Sequence, residues 1–420
     1  MSEQRLEILL TSDSSGQMFN MCVWDPTTGT NLKIYKGNTT RSKTCCMIGN
    51  TFLVSGQTKQ PLLNVWQLNK HEQKPLKYIT PGILQSLAAS PCGHILVGTV
   101  EERIYVWQTS SGKLLRIINN GHYQRINVTK FTSDGGCFVT AGEDGNVILW
   151  QQDSSKPKQV WSHHTLGVTD FHLGMGGLNS RIFTASKDQT VKVYSVASGQ
   201  FLLDIEFDSK LLAIAIDSAE ENGFVGTDNG LVYKFSLTNP PRDLKMTMIP
   251  NDKNTFKGHT KEVSCLSVSL DGLNLASGSA DNEVRIWDIK SCQCIKVILH
   301  KGVVTTLSYM MPKLGMLDSE TFTADMTLPL LEKTVMDKNV VLSDLYAVDI
   351  ITNNQASDEG TKAEPKARQL ILAGGGDNSL VTSQNKSYDD DGTDVNLEIK
   401  KLKAVNNKLY EAAVKAILKE

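Results

Sequence analysis

A chain of 420 residues that is 40% apolar, 21% charged and 7% aromatic carries enough apolar surface for a large core, which excludes disorder throughout. Its 43 Lys plus Arg against 45 Asp plus Glu give a formal charge of -2, excluding a protein whose affinity comes mainly from neutralising nucleic-acid phosphates. No apolar run approaches the roughly 18 residues of a membrane span, MSEQRLEILL lacks the regions of a signal peptide, and the eight cysteines include no CxxC, so the expectation is an intracellular chain with reduced thiols.

Along the chain, an aromatic residue closes a short β-rich run seven times: Trp24, Trp66, Trp107, Trp150, Tyr194, Phe235 and Trp287, at intervals of 42, 41, 43, 44, 41 and 52. The runs FVTAGEDGNVILW (138–150), RIFTASKDQTVKVY (181–194) and LASGSADNEVRIWD (275–288) alternate with period two. Alternating strands at a period in the low forties, separated by Gly, Asp and Asn turns, predict an all-β, seven-bladed β-propeller over 1–311. The first blade has room for three strands, in 6–12, 20–25 and 31–37, and 303–310 is expected to return as its fourth, closing the ring and removing its open edges.

Inside the blades the register repeats. His122, Thr140, Asp144 and Trp150 are separated by 18, 4 and 6 residues, and His259, Ser277, Asp281 and Trp287 by the same steps. Thr184, Asp188 and Tyr194 keep the last two, with His164 lying 20 residues upstream of Thr184 because GMGGLNS (174–180) adds two. On these residues the chain resembles the WD-repeat family, whose blades share a buried His, Ser or Thr, Asp and Trp network; an indole N–H and a hydroxyl need partners once buried, and an imidazole held by a carboxylate supplies them. The same residue types make a nucleophilic triad, but a triad need occur only once, and recurrence at fixed spacing points to structure. Glu101, Asn229 and Met18 stand where the turn Asp of their blades would be, so blades one, two, three and six are expected to rely more on apolar packing.

The 52-residue interval carries about ten extra residues in 239–255, expected as a surface insertion. The glycine runs 174–177 and 374–376 lack the Lys-Ser/Thr and the strand-to-helix setting of phosphate loops, and no cofactor or metal is expected. Beyond 311 the repeats stop, and 312–393 reads as irregular extension and linker. From Asp394, which is suited to cap a helix, Leu402, Val405 and Leu409 follow helical steps within 394–420; this amphipathic tail is expected to dock on a second copy or another subunit, in coiled-coil or helix-in-groove fashion.

The phrases VWSHH (160–164), SKDQTVKVYSVASGQFLL (186–203), FKGH (256–259) and CLSVSLDGLNLASGSADNEVRIWDIKSCQCIKV (265–297) resemble the WD repeat-containing protein 18 family, over residues 5 to 310 and in layout beyond. That resemblance implies a non-enzymatic scaffold subunit of the rixosome, in the nucleus, nucleolus and nucleoplasm. Its implied partners are a helical-repeat scaffold subunit, the midasin ATPase and the pre-60S particle, with a homodimer through the tail, no membrane and indirect or weak RNA contact. The implied role is removal of an internal transcribed spacer from precursor rRNA during large-subunit assembly. A propeller adaptor for a ubiquitin ligase or signalling complex is the competing class; it would carry an F-box or similar segment, and none is seen. The short tail and the minimal basic cluster Lys400, Lys401 and Lys403 depart from the family layout.

Overall fold

The computed structural model describes residues 7–16, 20–37, 39–68, 75–238, 244–248, 251, 254–312 and 328–333. The chain divides into two compact units, 1–351 and 352–420, and the second lies wholly outside the described residues. The helix expected over 394–420 and the seam residues Leu402, Val405 and Leu409 therefore lie outside them too.

Seven sheets, antiparallel but for one added edge strand, form a ring. Their inner strands are Val304–Met310, Thr40–Ile48, Ser86–Ala89, Ile126–Phe131, Val168–Leu173, Leu211–Ile216 and Val263–Val268, for blades one to seven, and each lies beside the next until the seventh meets the first. Blade one is closed as the spacing predicts: Val304–Met310 pairs antiparallel with Ile8–Asp13, matching Leu10 with Ser308, and Met21–Trp24 and Asn31–Tyr35 complete the sheet. The two distant ends of the repeat region share one blade, so the ring cannot open without breaking this ladder.

Burial explains the residue pattern. The third strand of a blade packs against a neighbouring blade on each face, so Val147–Gln151 reads VILW without alternation and those four residues are buried. Outer strands touch solvent, and Cys294–Leu299 turns Ile295, Val297 and Leu299 outward. Each strand-ending aromatic faces the preceding blade: Trp66 packs on Met21, Val23 and Tyr35, Trp150 on Val97, Ile104 and Ile118, and Trp287 on Phe224 and Phe256. Close approach of the indole dictates a glycine before the blade-four His, because a Cβ on Gly121 would lie 2.5 Å from Trp150.

Two regions carry structure that the spacing did not show. The insertion 239–255 is not wholly loop: Lys245–Thr247 adds a fifth, parallel strand to Phe201–Glu206 of blade five, and Thr255–Phe256 is the short outer strand of blade six. The reason is packing, since Met246 and Met248 lie against the cluster containing Ile205, Phe207 and Phe235. Within the expected extension, residues 328–333 lie against blades two and three, where Leu328 and Leu331 join the apolar seam.

Candidate functional site: polar networks and the central channel

Three blades carry the expected networks. In blade four His122 Nδ1 lies 3.0 Å from both Asp144 carboxylate oxygens, His122 Nε2 lies 2.8 Å from Thr140 Oγ1, and the Trp150 indole donates to that hydroxyl at 2.9 Å. In blade seven His259 Nδ1 and Asp281 are 2.9 Å apart, His259 Nε2 and Ser277 Oγ 2.7 Å, and Trp287 donates to Ser277 at 2.7 Å. Blade five repeats the set with His164, Asp188 and Thr184 at 2.9 and 2.7 Å. An imidazole that donates from Nδ1 to the carboxylate accepts the hydroxyl proton at Nε2, leaving the hydroxyl oxygen to accept the indole N–H.

Electrostatics follow from burial and bonding. Burial alone would raise the Asp144, Asp188 and Asp281 carboxyls, but the imidazole and backbone N–H donors prevail and hold all three below the usual range. Burial holds the His259 imidazole below its ordinary value against the pull of Asp281. Thr140, Thr184 and Ser277 have no solvent exposure, so their hydroxyls have no path to a substrate carbonyl. Donor atoms of His259, Asp281 and Glu283 lie within 4.8 Å of one another, but Asp281 is committed to His259 and Glu283 to Arg285 at 2.7 and 3.0 Å.

The remaining blades satisfy their indoles otherwise. Trp24 donates to Thr11 Oγ1 at 2.8 Å and Trp66 to the Lys36 carbonyl at 2.9 Å. Trp107 donates at 2.8 Å to the Glu332 carbonyl, far along the chain.

A second polar cluster sits in the channel. Asp170 of blade five receives Lys43 of blade two at 2.5 Å and Lys130 of blade four at 3.5 Å, while the Ile214 N–H of blade six donates to it at 3.4 Å. Lys43 reaches it from an irregular stretch of the blade-two ladder, between Thr40 and Cys45, with φ at +61°, an uncommon conformation for a residue with a side chain. Asp170 is buried, which would raise its carboxyl, but the two ammonium groups hold it below the usual range. These residues and His172 line a cavity of about 550 Å³ in the channel; burial and the Lys130 charge push the His172 imidazole down to about 3. Nothing in the spacing marked this cluster, because its members come from different blades.

Such a closed ring of seven blades, each built on four strands and three of them carrying His–Ser/Thr–Asp networks, defines a WD-repeat propeller, a scaffold class of protein. The family described as "WD domain, G-beta repeat" matches residues 112–151, 155–195 and 251–288, which hold the turns and third strands of the three network-bearing blades. WD repeat-containing protein 18 of Danio rerio is 34% identical over 433 residues, covering 99% of each chain, and its Homo sapiens counterpart is 35% identical over 342 residues, covering 79% of each. Pre-rRNA-processing protein pro-1 of Caenorhabditis elegans is 29% identical over 327 residues, covering 73% of this chain and 61% of its own. The chain belongs to the WD repeat-containing protein 18 family.

Proposed function

We propose that this chain is a non-enzymatic scaffold subunit of a nuclear and nucleolar complex, the rixosome, that processes precursor rRNA during assembly of the large ribosomal subunit. The observation that carries the reading is membership of a family whose relatives include a protein named for pre-rRNA processing, on a propeller whose Ser and Thr network hydroxyls are sealed from solvent. A rigid ring offers loops on two faces and strand edges around its rim, which suits it to hold other subunits in place. A helical-repeat subunit, the midasin ATPase and the pre-60S particle are the proposed partners. The tail seam of Leu402, Val405 and Leu409 is the proposed contact for a second copy or another subunit.

Affinity purification of the full chain from nuclear extract, with identification of what co-purifies, tests this. Large-subunit assembly factors are expected, and depletion is expected to accumulate spacer-containing precursor rRNA. Recovery of cullin or kinase subunits with unchanged rRNA would replace the reading with that of a ligase or signalling adaptor. Leu402→Asp with Leu409→Asp is expected to lower recovery of the complex while leaving the propeller's melting unchanged, since charge would be placed at an apolar contact; unchanged recovery and unchanged mass in solution would assign assembly to the propeller alone.

A further inference from the structure

Blade three lacks the network residues: in the hairpin register Gly98, two residues after the Trp107 partner Leu96, occupies the Ser/Thr place, and Glu101 stands at the turn with φ at +54°. Its indole would be a buried donor without a side-chain acceptor. The segment 328–332 supplies what is missing. Tyr78 Oη of blade two donates to the Leu328 carbonyl at 2.5 Å, Trp107 Nε1 to the Glu332 carbonyl at 2.8 Å, and the Leu114 N–H to the Glu332 carboxylate at 3.2 Å, while the Glu332 N–H donates to the Gly112 carbonyl at 2.8 Å. Leu328 and Leu331 are 8% and 7% exposed in the seam with Leu63, Val65, Leu96 and Trp107, whereas Leu330 between them is 72% exposed. Gly112 is shaped for the contact, since a Cβ there would lie 2.2 Å from the Leu330 carbonyl oxygen, and its φ of +69° already favours glycine.

We propose that the cleft between blades two and three is a peptide-docking site for a Leu–x–x–Leu–Glu segment, and that residues 328–332 occupy it in cis as a strap. Two leucines fill apolar pockets at a spacing of three, and a carbonyl and a carboxylate read one indole and one backbone N–H. Of the four hydrogen bonds, three use backbone groups of the strap, so affinity comes largely from its extended path and selectivity from the two leucines and Glu332. The strap completes blade three and fixes the place from which the chain after Lys333 departs.

The test uses the full chain with Leu328→Asp and Leu331→Asp. Amide hydrogen exchange over 103–118 is expected to speed by more than about tenfold, the factor that corresponds to 1.4 kcal/mol, while exchange over 137–151 in blade four stays as in the parent. A synthetic peptide of residues 326–335 at millimolar concentration is expected to restore slow exchange to that variant, and the same peptide with both leucines changed to Asp is not. Should the double variant fail to fold, Tyr78→Phe with Glu332→Ala removes two bonds while keeping the leucines, and a smaller rise confined to blades two and three is expected. Unchanged exchange over 103–118 in whichever variant folds, or failure of the 326–335 peptide to protect the vacated cleft, would overturn the proposal.

Discussion

Asp170 and Lys43 meet inside the channel at 2.5 Å, joining blade five to blade two. With Lys130 and the Ile214 N–H bound to the same carboxylate, one side chain links four of the seven blades. Neighbouring blades are held by apolar seams, whereas this contact ties blades that are not neighbours in the ring, so it resists distortion of the circle as a whole.

Asp170→Asn is therefore expected to destabilise the propeller by about 3 kcal/mol or more, because it strands Lys43 and Lys130 without their counter-charge in a half-buried site. Lys43→Met leaves Asp170 its second lysine and is expected to cost less. Denaturant unfolding of the parent and both variants checks the order, and equal losses would show that the two lysines do not share the carboxylate.

Acid should unfold the propeller in two stages. His172 and His259 are held below their ordinary values, so the unfolded chain takes up more protons once pH falls below the ordinary imidazole value of about 6.5, and stability declines from there. Asp144, Asp170, Asp188 and Asp281 are held low, so their contribution is complete above the unfolded carboxyl value of about 3.9 and is lost as pH falls through their folded values. Melting temperature against pH is expected to fall gently from about pH 6.5 and steeply below about 4. His172→Gln should reduce the first decline; an unaltered curve would show that the imidazole titrates alike in both states.

Asp281→Ala leaves the His259 Nδ1–H and the Thr260 N–H without their acceptor and is expected to cost about 1–3 kcal/mol. Thermal unfolding of the purified variant checks this. Unchanged stability with lost partner binding would make the network a recognition site.

What was legible in the sequence follows chain locality. His122 and Asp144 belong to one blade, their separation is fixed by one hairpin, and repetition made it visible. Strand pairing across the ring ends was legible because blade one lacked a strand. The Asp170 cluster was not, since Lys43, Lys130 and Asp170 share no recurring interval and are brought together by ring geometry alone. Trp107 shows the same limit: Glu101 at the turn announced that its blade lacked the network, but nothing local announced that Glu332 would take the indole. The added strand Lys245–Thr247 was hidden by its three-residue length, too short for alternation to stand out from a loop.

Closure gives the last prediction, which requires separating the returning strand from the strap. A chain ending at residue 333 keeps both Val304–Met310 and 328–333, one ending at 312 keeps only the strand, and one ending at 302 keeps neither. Loss of the strap leaves every inner strand paired, so the chain ending at 312 is expected to stay monomeric and melt below the longer one. Loss of the strand frees the whole edge of Ile8–Asp13, whose residues are all buried in the closed ring, and uncovers Cys265 and Val284 at the seam with blade seven. An unpaired apolar edge next to an open seam templates pairing with another chain, so the chain ending at 302 is expected to aggregate. Light scattering of the three proteins after purification distinguishes the cases. A monomeric 302 chain that melts with the 312 chain would mean that blade one holds together on three strands and that the ring needs no fourth to close.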